Sequence, residues 1–126
     1  MIPKTGRFAR ADRLRDSRDF NRVSRRGQRV ASGEFVLLAT PGEAAESRRL
    51  GISVSRKVGN AVVRNRIKRG VRDWFRRQRG LLPESVDLVV IARPKANRLN
   101  GGAAIDLALE KTWARAKRQW KTPSQR

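Results

Sequence analysis

The sequence contains no cysteine and no histidine among its 126 residues. The first absence removes disulfide frameworks, thiolate metal sites and cysteine nucleophiles. The second removes the commonest general base, so hydrolysis by the protein alone would need carboxylates holding a metal, or a serine or lysine nucleophile. Acids are scarce as well, with 11 Asp+Glu against 31 Lys+Arg. Asp12, Asp16 and Asp19 cluster near the N-terminus, but they alternate with Arg13, Arg15 and Arg18. That is the pattern of helix-start charges and local pairs, and it argues against an active site carried by the protein. Long apolar runs are also missing. No stretch approaches a membrane span, and the segment from Met1 to Arg7 lacks the apolar core of a signal peptide, so the expected location is the cytoplasm.

Positive charge is what the chain has in excess. The formal net charge is +20 and the isoelectric point about 12.0. Solubility alone asks for a magnitude of only about 2 to 8 in a small domain. Self-repulsion on this scale points instead to a polyanionic partner. Seven of the cations are lysines, at 4, 57, 68, 95, 111, 117 and 121, and the rest are arginines. Arginine offers planar, bidentate contacts to phosphate and can stack on bases. Codon bias would produce the same preference, so it adds little by itself.

The length suits one domain. Residues 1–15 read as a basic arm, flexible or draped over a partner, residues 16–121 as a single α+β domain, and 122–126 as a tail. A short helix is predicted over 17–26, with Asp16 or Ser17 as N-cap, Phe20 and Val23 on its apolar face, and Gly27 just past its end. Strands follow at 29–31 and 35–40 around the Ser32-Gly33 turn. A third strand at 50–55 places Leu50, Ile52 and Val54 on one face and Gly51, Ser53 and Ser55 on the other, giving a small, open, polar side. After Gly59 and the N-cap Asn60, residues 61–79 form a helix. At about 100° per residue its Val63, Ile67, Val71 and Trp74 share a sector of about 80°, with Phe75 at the edge. Residues 86–92 are an apolar strand, 93–102 a loop, and 103–121 a last helix carrying Ile105, Leu109, Trp113, Ala116 and Trp120 on one face. The order α-β-β-β-α-β-α implies a four-stranded sheet packed by helices, with 61–79 as a crossover.

The sharpest feature is the block from Arg56 to Arg69. It holds Arg56, Lys57, Arg64, Arg66, Lys68 and Arg69 without an interleaved acid. On the wheel, Asn65, Arg69, Arg72 and Arg76 lie within about 60° of one another, opposite the apolar stripe. Asp73 is the only carboxylate between Glu46 and Glu84. Such a run repels itself unless counterions or phosphates sit among its cations, which favours a phosphate-binding face over a merely solvated one.

These residues also carry a family likeness. The block from Leu50 to Arg69, with Arg64-Asn65-Arg66 as an Arg-Asn-Arg motif, closely resembles the signature of bacterial ribonuclease P protein subunits. Ser17-Arg18-Asp19-Phe20 with Arg25 and Gly27, then Phe35-Val36-Leu37, and Val89-Val90-Ile91-Ala92-Arg93-Pro94 agree with it, so the likeness covers about residues 14–120. It implies an endoribonuclease whose catalytic centre and magnesium ions belong to a catalytic RNA, while the protein binds that RNA and the 5′ leader of precursor tRNA. No membrane or protein partner is implied, and no metal or catalytic residue on the protein. Carried over by position, Arg56, Lys57, Arg64, Asn65, Arg66, Lys68 and Arg69 would contact the RNA subunit. The leader would lie in a cleft formed by Phe20, Val36, Leu38 and Ser53, with Lys57, Arg64, Asn65, Arg69 and Arg72 at its basic edge. The likeness further implies a left-handed crossover, against the right-handed rule that covers about 98% of such units.

Two positions depart from the family pattern. Many members carry an aromatic where this chain has Ser24, and another where it has Leu38, so stacking in the cleft is expected to be weaker or to fall to Phe20 alone. Phe20 itself has two readings, a face for a single-stranded base or core packing beside Val23. Ser53 would let a backbone approach closely, or is an ordinary strand serine. Besides the ribonuclease P subunit, composition admits a structural RNA-binding protein of ribosomal type. A self-sufficient nuclease and a membrane-surface role for the basic helix fit less of the pattern.

Overall fold

In the computed structural model, residues 13, 14, 17–42, 47–78, 82, 83 and 85–119 are described. Their elements run α1 (Ser17–Arg26), β1 (Gln28–Ala31), β2 (Phe35–Thr40), β3 (Arg48–Val54), α2 (Ala61–Gln78), β4 (Val86–Ala92), a 3-10 turn (Pro94–Arg98) and α3 (Gly102–Gln119). This is the α+β order read from the sequence. The 3-10 turn occupies part of the predicted 93–102 loop. Arg79, Trp120 and Lys121, expected in helices, lie outside the described residues, as do Asp16 and most of the basic arm.

The sheet order is β1-β2-β4-β3. β2 runs antiparallel to both β1 and β4, whereas β3 and β4 are parallel and α2 makes the crossover between them. β4 is thus central, which explains its near-continuous apolar run: both of its faces are covered. Among the described residues no helix is long and apolar enough to cross a membrane.

Alternation along each strand sorts the side chains to two faces. On one, Phe35, Leu37, Leu50, Leu88 and Val90 meet Ile67, Val71, Trp74 and Phe75 of α2 and Ile105, Leu109 and Trp113 of α3. The α2 stripe predicted from the wheel is the one buried. Gly70 belongs to it as well, because a Cβ there would sit 2.6 Å from Cδ1 of Ile105, so its absence lets α3 approach α2 closely. Asp106 accepts a 2.7 Å hydrogen bond from Arg77 and holds that guanidinium pKa above its ordinary value.

The other face holds a smaller core of Leu14, Val23, Val36, Leu38 and Val89, with Phe20, Ala31 and Ile91 packed beside it. Among the described helices, α1 lies over it. Register aligns Thr40, Asp87 and Arg49 in one row across β2, β4 and β3, beneath α1. Asp87 is fully buried there, and Arg49 grips it with both Nε and Nη2, at 3.0 and 2.9 Å. Arg22 of α1 donates to the same carboxylate and, at 3.2 Å, to Thr40. Asp19 completes the cluster with Arg22 and Arg49, each at 3.5 Å. A carboxylate in the sheet and one on the helix thus share two arginines, and this pins α1 to the sheet.

Candidate nucleic-acid interface

Along the face under α1, successive rows read Thr40, Asp87, Arg49, then Leu38, Val89, Gly51, then Val36, Ile91, Ser53. α1 covers the first two. Gly51 is buried, and a Cβ on it would fall 2.6 Å from Cζ of Phe20. The missing side chain therefore lets the Phe20 ring come close against β3. This corrects the expectation of an open polar side along the whole strand, since only Ser53 and Ser55 remain exposed.

Phe20 is half-buried and borders an open groove of about 220 Å³, with Gly51 and Ile52 in its lining and Arg13, Lys68 and Arg72 beside it. Among the described residues no carboxylate lines it. Burial, and then the charge of Arg13, hold the Arg72 pKa below its usual value, so the cations repel one another while they enclose the space. Arg13 and Leu14 reach this position by pairing alongside β3, where Leu14 N–H donates to the Leu50 carbonyl at 3.0 Å. Leu14 is buried against Gly51. The sequence reading put both residues in the basic arm.

Of the residues expected in a cleft, Phe20 and Arg72 border the groove, and Ser53 lies exposed one row further along. Leu38 is buried in the floor beneath α1, and Val36 is buried in the next row, beside Ile91 and Ser53. Half-buried Ile91 and Ala31 are reachable in the open row instead. Ile91 was legible from strand parity, since it pairs with Val36. Arg13 was not, because nothing in its neighbours announced a pairing with β3.

The basic edge starts from a fixed turn. Asn60 caps α2, accepting from Val63 N–H at 3.0 Å, as predicted. Val58 is buried, and its carbonyl accepts from the Asn97 amide at 2.6 Å, tying this turn to the 3-10 turn. Arg56, Lys57, Asn65 and Arg69 are exposed, whereas Arg64, Arg66 and Lys68 are half-buried. Arg66 donates to the Asn97 carbonyl at 3.3 Å, so part of the Arg-Asn-Arg motif holds the turn together. On the outer surface of α2, Asp73 pairs with Arg76 at 3.6 Å.

Known proteins agree with this architecture. A family model described as Ribonuclease P matches residues 8–117. The ribonuclease P protein component of Brevibacillus brevis is 46% identical over 85 residues, 68% of each chain. That of Shouchella clausii is 47% identical over 88 residues, 70% of this chain and 72% of the relative. Among solved structures, the Staphylococcus aureus RNase P protein superposes with a TM-score of 0.80 at 37% identity, covering 86% of this chain and 97% of that one. The Thermotoga maritima RNase P protein gives 0.69 at 33% identity, over 87% and 98%. Sequence and backbone agree over most of the length, and on that basis the chain belongs to the family of bacterial ribonuclease P protein components.

Proposed function

We propose that the protein binds the catalytic RNA of ribonuclease P together with the 5′ leader of precursor tRNA, and thereby promotes endonucleolytic removal of the leader to give the mature 5′ end. The observation that carries this reading is the groove beside Phe20, on which Arg13, Lys68 and Arg72 converge. A polyanion entering it relieves their mutual repulsion. The exposed side of Phe20 supplies a stacking surface for an unpaired base, a sequence-tolerant contact worth about 1–3 kcal/mol. Arg56, Lys57, Arg64, Asn65, Arg66, Lys68 and Arg69 then meet the RNA subunit along the start of α2.

In this reading cleavage takes place on the RNA, with its magnesium ions, and the protein binds and orients. The chemistry of the carboxylates supports that assignment. Asp19 and Asp87 are shared by Arg22 and Arg49, Asp73 by Arg76, and Asp106 by Arg77.

The test is multiple-turnover cleavage of a 5′-extended precursor tRNA at low magnesium, with protein alone, a bacterial ribonuclease P RNA alone, and both together. Efficient cleavage at the mature 5′ end by the mixture only is the expected result. A protein that adds nothing to the RNA would be a general RNA binder, and one that cleaves unaided would carry its own active site. Arg69→Ala is expected to weaken RNA binding and lower the salt slope by about one phosphate contact. An unchanged slope in a folded variant would remove Arg69 from the interface.

A further inference from the structure

Away from the groove, α1 carries a second concentration of charge. Its sequence SRDFNRVSRR holds Arg18, Arg22, Arg25 and Arg26 against a single carboxylate, Asp19. That carboxylate is engaged by Arg22 and Arg49. Arg18, Asn21, Arg25 and Arg26 are exposed and, with Arg22, line a surface depression of about 340 Å³. Arg29 of β1 is exposed as well, and alternation with the buried Val30 turns it to the α1 side of the sheet.

Arg22 is neutralised by Asp87 and Asp19 against the sheet, and Arg25 and Arg26 stand in the last turn, where the dipole favours cations. Arg25, Arg26 and Arg29 nonetheless lie exposed within five residues of chain with no carboxylate paired to them among the described residues, and like charges so placed repel one another. Arg18 and Arg25 fall two turns apart on one line, about 10 Å along the axis, with Asn21 between them. Phosphates along an RNA backbone would convert this repulsion into attraction. Guanidinium and amide groups aimed at phosphate position a strand without reading its sequence. No exposed apolar side chain lies on this face to enter a bilayer, which sets it apart from a membrane-binding helix. α2 packs on the opposite face of the sheet, so the two basic surfaces are distinct.

We propose that the outer face of α1, formed by Arg18, Asn21, Arg25 and Arg26 with Arg29 of β1, is a further RNA-backbone contact, separate both from α2 and from the groove beside Phe20. This rests on the functional reading above only for the class of partner. The test uses Arg25→Ala/Arg29→Ala in the full chain, because these two arginines pair with no carboxylate among the described residues. Binding to a bacterial ribonuclease P RNA is followed by anisotropy across a salt series, alongside thermal melting. Affinity at physiological salt should fall about tenfold and the salt slope by about two contacts. Arg25→Lys/Arg29→Lys should restore most of both, and combination with Arg69→Ala should be additive in log affinity. Arg25→Gln/Arg29→Gln repeats the measurement if the alanine pair melts early. Unchanged affinity and slope while Arg69→Ala weakens binding would overturn the proposal alone. If neither variant weakens binding, the RNA reading falls with it. Charge-dependent binding to phosphatidylglycerol vesicles, with RNA binding intact, would overturn the proposal and assign the face to a lipid surface.

Discussion

On one face of the sheet, Phe35, Leu37, Leu50, Leu88 and Val90 are closed over by two helices of 18 residues each. On the other, Leu38 and Val89 lie beneath the ten residues of α1, and Ile91 and Ser53 stay reachable. The same strands supply both faces through alternate residues, so the difference lies in what covers them. Burial of aromatic and branched side chains under α2 and α3 provides the stability that lets the α1 face leave apolar surface for a ligand. The α1 side is fastened largely by charge and the α2 side by packing.

The sharpest break of this contrast is Trp74→Ala. Trp74 is fully buried between α2 and the sheet, and removing its side chain is expected to cost about 3–5 kcal/mol, a large part of the total stability of a small domain. Ile91→Ala, half-buried on the opposite face, should cost much less. Trp74→Phe is the milder core variant, since it also removes an indole N–H with no acceptor among the described residues. Urea denaturation of the three variants measures this, and equal losses for Trp74→Ala and Ile91→Ala would erase the distinction between the faces.

Asp87→Ala attacks the charge fastening. It leaves Arg22 and Arg49 beside a buried space without their shared carboxylate, a loss of about 3 kcal/mol for one partner of a buried pair. The damage should concentrate on α1. Amide exchange in Ser17–Arg26 should accelerate more than in Ala61–Gln78, whereas uniform acceleration would show that the cluster serves the whole domain rather than this helix.

Phe20→Ala gives the smaller, functional counterpart. The ring rests on Gly51 and is half-exposed, so stability should change little while affinity for a single-stranded leader falls by about 1–3 kcal/mol. Gly51→Ala should mimic it in part, because the new methyl displaces the ring. Titration of a leader-bearing precursor tRNA against one with a mature 5′ end isolates the effect, and equal losses for both substrates would move Phe20 out of leader contact.

Much of this architecture was legible because it follows from local periodicity. Val63, Ile67, Val71 and Trp74 announced the α2 stripe, Asn60 its cap, and the Arg56 to Arg69 run its basic edge. What stayed hidden depends on pairing between distant segments. Leu38 reads as a cleft residue until α1 is laid over it, and Gly51 as an open position until Phe20 is seated there. Asp87 is one acid in an apolar strand, and only the register beside Arg49 and the approach of Arg22 give it a role. Arg13 and Lys68 meet at one groove across more than fifty residues of chain, which neither local sequence records.

The smallest expected effect is pH. The chain has no histidine or cysteine, so its side chains include neither group whose ordinary titration lies near neutrality. Arg72 is held below its usual pKa by burial and by Arg13, but an arginine so shifted still keeps its proton throughout that range. Phosphodiesters stay charged as well. RNA affinity at constant ionic strength should therefore vary less than about twofold between about pH 6 and 8, on both the α1 and α2 surfaces. A tenfold fall toward pH 8 would require a cation that loses its proton near neutrality.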